Sequence, residues 1–398
     1  MGSEEANQRA KFGSLNFRQY PFMAPEYLKR SAALIESANS RLREMGAPCT
    51  INYSIIGRRT QQSTPLTLSK TLTWKSVAEF VGWNSQSGTS DIQKGEPDTL
   101  GVFATSDIQE GDVIFTDSTP WGSTSIPAIS KVTVAGRTYP GFRCENCCGM
   151  TNIWHRVIHQ AECCTTNYCS RRCLEEAKAT YHKAICGRDF SWLMNSQKNE
   201  ATPVHTFDLD RRMWLRILAI CVQSGLHPLD HPLIAGLTPN YESGEDVSRR
   251  WSLETHVDVP QRILTTLGVD VFKDMRYDTW VLQTIWARMK NNAHGGVSEG
   301  YNGPVATEHV NSLYSFINHS CEPNAEAKDV FSTFTPCSAP VFGSTTLAII
   351  AKKSIKQGEE IFVSYIGEKT EETRKQRNEA LRNWLSEECQ CTKCRREA

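Results

Sequence analysis

Three cysteines near the end of the chain have the spacing of metal ligands. Cys389, Cys391 and Cys394 form a Cys-x-Cys-x2-Cys motif. A closed structural zinc site is tetrahedral and needs four ligands, so these three thiolates lack one partner. Cys321 is the candidate for the fourth ligand, because it lies in a second unusual motif, Asn-His-Ser-Cys-Glu-Pro-Asn, over residues 318–324. The spacing therefore predicts a zinc ion that joins the end of the chain to that motif.

A third motif lies between these two, and together they resemble a known family. It reads Gly-Glu-Glu-Ile-x-x-x-Tyr, from Gly358 to Tyr365. In this order, the motifs resemble the C-terminal half of a SET-domain methyltransferase with its post-SET zinc site. The resemblance covers about residues 98–398. It implies S-adenosylmethionine as cofactor and a protein lysine side chain as the group that is methylated.

The resemblance also gives individual residues a role. Tyr365 matches the catalytic tyrosine of the family and is expected to contact the cofactor as well. The other cofactor-binding candidates in this half are Asn318, His319 and Asn292, with Asn291 as the alternative to Asn292. In the family, an aromatic residue at about this place in the sequence helps to form the channel for the substrate lysine. Trp384 is therefore the channel candidate in this chain.

An earlier glycine-containing segment resembles the N-terminal part of the SET fold. The family has Gly-x-Gly there, and its backbone approaches the methionine part of the cofactor. Glycine suits such a place because it lets the backbone come close to a ligand. In this chain Gly101 keeps the second glycine, and Thr99 stands in place of the first. Gly101 is therefore a further cofactor-binding candidate.

Methyl transfer from a sulfonium to an amine makes few demands on residue type. It is an in-line displacement that needs a neutral amine and close alignment of the two groups, and positioning supplies most of the reduction in the barrier. A tyrosine hydroxyl and backbone carbonyls aimed at the methyl group add preorganised polarity. The chemistry is thus compatible with a site built around one tyrosine.

A second cluster of cysteines, between residues 144 and 186, resembles the MYND zinc finger. That finger holds two zinc ions with ligand pairs that alternate along the chain. The expected ligands of the first ion are Cys144, Cys147, Cys169 and Cys173. The expected ligands of the second ion are His182 and Cys186 with His159 and Cys163, chosen from the available His155, His159, Cys163 and Cys164. With the C-terminal site, three zinc ions are expected.

Composition and charge narrow the class of protein. The chain has 398 residues, of which 39% are hydrophobic, and 44 basic residues balance 44 acidic ones. Zero net charge argues against nucleic-acid or membrane binding along the whole chain. Apolar runs of membrane-spanning length and an export signal pattern are both missing from the sequence, so we expect a soluble intracellular protein of the nucleus or cytoplasm. Isolated Cys49, Cys221 and Cys337 are expected to be buried apolar residues.

For the elements that must position these residues, the resemblance implies an α+β fold. It would be a β-rich SET fold with a knot-like C-terminal crossing, an inserted MYND-like finger, a helical SET insert and an N-terminal helical extension. The expected segments are an extension (1–95), an N-terminal SET segment (96–140), a finger (141–188), a helical insert (189–290), a C-terminal SET segment (291–368) and a post-SET segment (369–398).

Periodicity predicts several elements directly. Residues 25–45 read as a helix with Gly46 as its stop, and residues 51–55 alternate as in a short strand. Residues 74–83 could form a helix and residues 84–97 read as a linker, while the aromatic stripes of the insert are expected in the core. His294 and His309 are expected at the surface. The extension is expected to dock on the core without a function of its own.

Three function classes compete. The first is a protein-lysine methyltransferase of the SET-and-MYND type, acting on histones or other proteins. The second is a SET enzyme that methylates a small molecule. The third is a non-catalytic adaptor whose finger binds proline-rich peptides, a partner that the resemblance also implies for the enzyme. Asn318, His319 and Tyr365 favour an enzyme over an adaptor.

Overall fold

The structure is a computed structural model. It describes the following residues: 30–54, 100–125, 129–134, 137–152, 158–194, 206–239, 253–300, 303–329, 344–382, 384–385 and 388–398. Several expectations fall outside them, namely those on Pro25, Ile55, residues 74–97, Thr99, His155 and Cys337.

Short strands form five small sheets within the described residues. They are β1 (Cys49–Tyr53), β2 (Leu100–Ala104), β3 (Val113–Ser118), β4 (Gly122–Thr124), β5 (Ile129–Val134), β6 (Arg137–Arg143), β7 (Met150–Asn152), β8 (His159–Gln160), β9 (Asn167–Tyr168), β10 (His294–Gly300), β11 (Gly303–His309), β12 (Asn318–His319), β13 (Ala325–Asp329), β14 (Thr346–Ala351) and β15 (Glu360–Val363). The sheet orders are β1-β2-β15-β12, β10-β11-β4, β13-β14-β3, β5-β6-β7 and β8-β9. The pair β12–β15 is parallel and the other pairs are antiparallel.

Helices lie mainly in the insert and at the chain ends. They are α1 (Ala32–Glu44), α2 (Arg171–Thr180), α3 (His182–Ile185), α4 (Thr206–Ser224), α5 (Pro232–Ala235), α6 (Val259–Thr266), α7 (Thr279–Asn292), α8 (Arg374–Leu381) and α9 (Thr392–Arg396). Helix and sheet segregate along the chain, so the fold is α+β with a β-rich core. In the part of the chain that the structure describes, none of the helices has the length and apolar character needed to cross a membrane.

The N-terminal segment is an integral part of the main sheet. Ser31 caps helix α1 with its side chain, and Gly46, with φ of 68°, follows the helix in the left-handed conformation that favours glycine. Strand β1 then pairs along its full length with β2, from Cys49 opposite Ala104 to Tyr53 opposite Leu100. The N-terminal extension was expected to dock on the core. It does more than contact the surface, because its strand β1 is the edge strand of the sheet β1-β2-β15-β12.

Two apolar cores lie behind this architecture. One combines the main sheets with α1, and it includes Leu42, Val102 and Ile349. The other combines the cysteine-rich segment with the insert, where the stacked rings of Trp214 and Trp286 lie 5.8 Å apart. Burial of both rings confirms that these aromatic residues belong to the core.

A buried ion cluster connects the insert to the sheet that borders the site. Lys290, near the end of α7, contacts Asp210 of α4 at 2.5 Å and Glu308 of β11 at 2.8 Å. The three side chains are at most 15% exposed, so both carboxylates help to compensate the buried ammonium group. The cluster fixes the end of α7, where Asn291 and Asn292 lie.

Candidate active site

The Asn-His-Ser-Cys motif and the tyrosine segment lie side by side. Strand β12 runs parallel to β15, with Asn318 opposite Phe362 and His319 opposite Val363. The Ser320 amide extends this pairing by donating to the Val363 carbonyl at 2.9 Å. Since β15 ends two residues before Tyr365, the pairing delivers the tyrosine next to the Asn-His pair.

Three contacts hold Tyr365 in one position. Its amide donates to Nδ1 of His319 at 3.0 Å, and its hydroxyl donates to the Ile317 carbonyl at 2.7 Å. The Trp384 ring lies 6.4 Å from the Tyr365 ring. Burial raises the pKa of Tyr365 to about 12, so its hydroxyl stays protonated at neutral pH. The oxygen is therefore a fixed, neutral dipole.

His319 supports the tyrosine from behind. Burial lowers the pKa of His319 to about 4, so the ring is neutral at neutral pH. Its Nδ1 is therefore able to accept the hydrogen bond that the Tyr365 amide donates. Its Nε2 lies 3.3 Å from Sγ of Cys321. One imidazole thus connects the tyrosine segment to the cysteine of the same motif.

Tyr365 lies on the wall of a cavity with a volume of about 1000 Å³. Trp384, Asn292, His294 and Tyr314 line the same cavity. Three of the lining side chains are acidic, Glu326, Glu368 and Glu371, and one, Lys352, is basic. The structure thus brings the expected catalytic tyrosine, the channel tryptophan and the upstream asparagine to one open space.

The two asparagines at the end of α7 differ in their contacts. Asn292 donates through Nδ2 to the carbonyls of Thr238 and Arg288, at 2.8 and 2.7 Å. Asn291 donates to the same Thr238 carbonyl at 2.9 Å, and its buried Oδ1 lacks a hydrogen-bond partner among the described residues. Both line the cavity, so both candidates for the upstream asparagine remain.

Gly101 and Asn318 lie beside a carboxylate. Asn318 Nδ2 donates to Glu360 Oε1 at 2.7 Å and to the Leu100 carbonyl at 2.9 Å, while the Ser54 hydroxyl binds Glu360 Oε2 at 2.8 Å. A Cβ atom at position 101 would meet Glu360 Oε1 at 2.2 Å. The close approach that the glycine permits is thus to Glu360, and the cofactor-binding role of Gly101, Asn318 and His319 stays a prediction.

Two residues of this network were missed at the level of sequence. Glu360 lies inside the Gly-Glu-Glu-Ile motif, so its position was a usable signal, although periodicity gave it no role. Ser54 is fully buried and follows β1, in a segment that carried no recognisable motif. It reaches the site only because β1 joins the main sheet.

The surface location expected for two histidines is wrong for His309. It is fully buried, and burial lowers its pKa to about 4. His294 lies opposite it in the β10–β11 pairing, and its ring is 5.2 Å from that of Tyr314. Burial lowers the pKa of His294 to about 3, so both imidazoles are neutral near pH 7.

The C-terminal thiols come together as expected. The sulfurs of Cys321, Cys389, Cys391 and Cys394 lie within 4.8 Å of one another, and all four residues are buried. Those of Cys321 and Cys394 are 3.6 Å apart. Zinc–sulfur bonds of about 2.3 Å in a tetrahedron place sulfurs about 3.8 Å apart, so this group could hold a zinc ion.

A second group, in which only Cys147 is partly exposed, matches the first expected ion of the finger. It consists of Cys144, Cys147, Cys169 and Cys173, again with sulfurs within 4.8 Å. Cys169 is 3.7 Å from Cys147 and 3.6 Å from Cys173, measured between sulfurs. Helix α2, capped by Ser170, carries Cys173 to this position.

The third group corrects one expected ligand. It contains Cys163, His182 and Cys186 as expected, but its fourth member is Cys164 in place of His159. His159 lies earlier on strand β8, opposite Tyr168. A turn follows β8, in which the Cys164 amide donates a hydrogen bond to the Ala161 carbonyl. This turn brings the sulfurs of both Cys163 and Cys164 close to His182. Their distances to His182 Nε2 are 3.2 Å for Cys163 and 3.6 Å for Cys164.

His182 is oriented for metal binding by a buried phenol. The Tyr168 hydroxyl lies 2.9 Å from Nδ1 of His182, so Nε2 faces the sulfurs. A partner on the second ring nitrogen is typical of histidines that bind metals.

This arrangement predicts different effects for two neighbouring substitutions. Cys164→Ser will remove the zinc of the third group, lowering the zinc content by one of the three ions expected from three ligand groups. His159→Ala will leave the zinc content unchanged, because this side chain is not part of the group. Elemental analysis of the purified proteins measures both. Loss of zinc in His159→Ala with full content in Cys164→Ser would reverse the ligand assignment.

Comparison with known proteins agrees with this geometry. A model of the SET domain family matches residues 99–366. The chain is also similar to the histone-lysine N-methyltransferase SET5 of Yarrowia lipolytica (strain CLIB 122 / E 150), with 35% identity over 83 residues. That similarity covers 21% of this chain and 16% of the relative, so the chain spans only a small part of the curated protein that it matches. The family match covers roughly two thirds of the chain and includes the paired strands β12 and β15, with Asn318 on β12 and Tyr365 two residues beyond β15. The chain therefore belongs to the SET domain family.

Proposed function

We propose that this protein is an S-adenosylmethionine-dependent protein-lysine methyltransferase. The observation that carries the proposal is the placement of Tyr365, whose hydroxyl is held on the Ile317 carbonyl at the wall of a cavity of about 1000 Å³. Membership of the SET domain family supports the same activity.

The residues of the cavity fit the cofactor and a lysine side chain together. Its volume is at the upper end of the usual range for ligand pockets, about 300–1000 Å³. The buried Oδ1 of Asn291, which has no partner among the described residues, is available to accept a hydrogen bond from a ligand amine. Asn291, Asn292 and Tyr365 would hold the cofactor, with support from Asn318, His319 and Gly101 behind the wall.

The bound cofactor supplies a methyl group on a positively charged sulfur. Tyr365 lines the cavity, and the Ile317 carbonyl already orients its hydroxyl, so this dipole need not reorganise during the reaction. Tyr365 stays protonated, so it acts by alignment and polarity, and the lysine loses its proton to water before transfer. Trp384, whose ring faces Tyr365, would confine the lysine side chain.

Charge around the cavity favours a cationic substrate. Glu368 and Glu371 are exposed, Glu326 is partly exposed, and Lys352 is the basic residue among these lining side chains. Acidic groups at a cleft raise the local concentration of a basic partner. We therefore propose lysine-rich protein segments such as histone tails as substrates, in line with the name of the similar histone-lysine N-methyltransferase SET5. A small molecule is the weaker candidate.

The finer family assignment belongs to the same proposal. Three groups of four ligands, two in the finger segment and one at the C-terminus, support a SET-and-MYND architecture with three zinc ions and a post-SET site. Proline-rich peptides are the proposed partners of the finger, and the threaded crossing of the C-terminal segments is proposed with it. Because thiolate ligands must stay reduced, we propose the nucleus or cytoplasm as the location.

Cofactor binding and transfer test this function together. Purified protein should bind S-adenosylmethionine in calorimetry, despite Thr99, and should transfer label from it to histones or to proteins of a cell extract, with the modified lysine identified by mass spectrometry. Binding without transfer to any protein, but with transfer to a small-molecule fraction, would favour the small-molecule enzyme. Absence of binding to both the cofactor and its demethylated product would refute an enzyme.

A further inference from the structure

A second cavity lies away from the catalytic one, between the finger segment and helix α4. Its volume is about 370 Å³. Strand β4, the residues after His182 and one face of α4 form its walls, and the residues that line it are all different from those of the catalytic cavity. It borders the third cysteine group through Cys164, His182 and Cys186.

The described wall of this cavity is strongly basic. Its basic residues are Arg143, Arg188, Arg212 and Arg216, and its acidic residue is Glu145, although the guanidinium group of Arg188 donates to the Thr266 carbonyl outside the lining. Arg143 and Arg216 both bind that carboxylate, at 2.7 and 3.0 Å. Burial raises the pKa of Glu145, but the two arginines more than offset this effect and hold its pKa below the ordinary value. One ionised carboxylate is thus shared by two buried cations.

Arg216 lines the cavity, and its guanidinium group is only partly satisfied. Its side chain is only 8% exposed, its Nη2 donates to the carbonyl and the carboxylate of Glu145, and its guanidinium carbon lies 3.7 Å from the centre of the Tyr181 ring. Its Nη1 is buried and lacks a hydrogen-bond partner among the described residues. A buried guanidinium nitrogen without a partner is costly, and a bound ligand would explain it.

We propose that this cavity binds a compact, doubly charged oxyanion, either a phosphate group or a dicarboxylate. The planar guanidinium fork matches the oxygens of both groups and binds them through paired, charge-assisted hydrogen bonds. An anion here would satisfy Nη1 of Arg216 and balance the positive wall. The volume, near the lower limit for ligand pockets, suits a small molecule.

Calorimetry on the full, zinc-loaded chain tests this site with inorganic phosphate and with malonate, at constant ionic strength in a chloride buffer. We expect saturable binding of at least one of these anions. Tighter binding of phosphate would indicate a phosphate group as the ligand, and tighter binding of malonate would indicate a dicarboxylate. Arg216→Gln should weaken that binding by about tenfold or more, as expected for the loss of a charge-assisted hydrogen bond. Zinc content and thermal unfolding, measured in parallel, report whether the variant is folded.

Two further variants make the result decisive. Arg212→Gln changes a partly buried residue of the same wall, whose Nη1 donates to the Thr124 carbonyl at the cavity, and should weaken binding about threefold even if Arg216→Gln does not fold. Arg276→Gln is the matched control, because this guanidinium binds Asp274 outside the cavity, and it should bind the anion like the parent. The site is refuted if the parent binds neither anion saturably, or if both cavity variants bind like the parent.

Discussion

Replacement of Tyr365 by phenylalanine is expected to reduce methyl transfer by at least about a hundredfold, the usual effect of removing one preorganised polar group from a reaction centre. The hydroxyl is held by the Ile317 carbonyl at 2.7 Å, and the variant loses this fixed dipole while keeping the ring. Cofactor affinity should change by only a few fold, because the hydroxyl acts on alignment in the transition state more than on binding in the ground state.

A matched tyrosine elsewhere provides the control. Tyr277 is buried in the insert and does not line the catalytic cavity, so Tyr277→Phe should keep the turnover of the parent. Turnover under saturating substrates and cofactor affinity by calorimetry should be measured for both variants. Equal turnover of Tyr365→Phe and the parent would remove Tyr365 from the catalytic role.

The second large effect is expected at the end of the chain. Cys394→Ser should lose the C-terminal zinc and with it most of the methyl transfer, because a structural zinc contributes on the order of 10 kcal/mol of apparent binding free energy. The affected contacts lead directly to the site. Cys394 lies 3.6 Å from Cys321, Cys321 lies 3.3 Å from His319, and His319 accepts the Tyr365 amide.

The same substitution should leave the main core folded. Cys394 belongs to a separate small cluster of apolar and thiol groups, which contains Leu381 and borders Trp384. Thermal unfolding should therefore still show a cooperative transition of the main sheets, while Trp384 loses its fixed place beside Tyr365. Arg377 donates to Cys394 at 3.4 Å, so its buried guanidinium would lose one partner as well.

Cys49→Ser is the control for thiol loss. Cys49 is buried on β1 and belongs to none of the three ligand groups, so its replacement should leave the zinc content unchanged. Zinc content, thermal unfolding and activity should be measured on both variants. Full zinc occupancy and unchanged activity in Cys394→Ser would contradict the proposed link between the tail and Cys321.

The ligand groups could be predicted in large part from the sequence. Cysteine spacing restricts which thiols are able to meet. Three thiolates at the C-terminus required a fourth ligand from elsewhere, and Cys321 was the candidate because it lies in the Asn-His-Ser-Cys motif. In the finger, however, histidine and cysteine donors were crowded over residues 155–164. Spacing alone could not separate His159 from Cys164, because that choice depends on the turn that follows β8.

The motifs also determined the principal candidate residues of the site, since Tyr365, Asn318 and His319 stand in a long and specific pattern. Only the tertiary structure decided which groups surround them. Ser54 reaches Glu360 across 306 positions of sequence, and Asp210 pairs with Lys290 across 80. Such contacts arise from strand pairing and helix packing, which leave little trace in local composition. The arginine-lined cavity has the same origin, because the charges that define it come from separate segments that only folding brings to one wall.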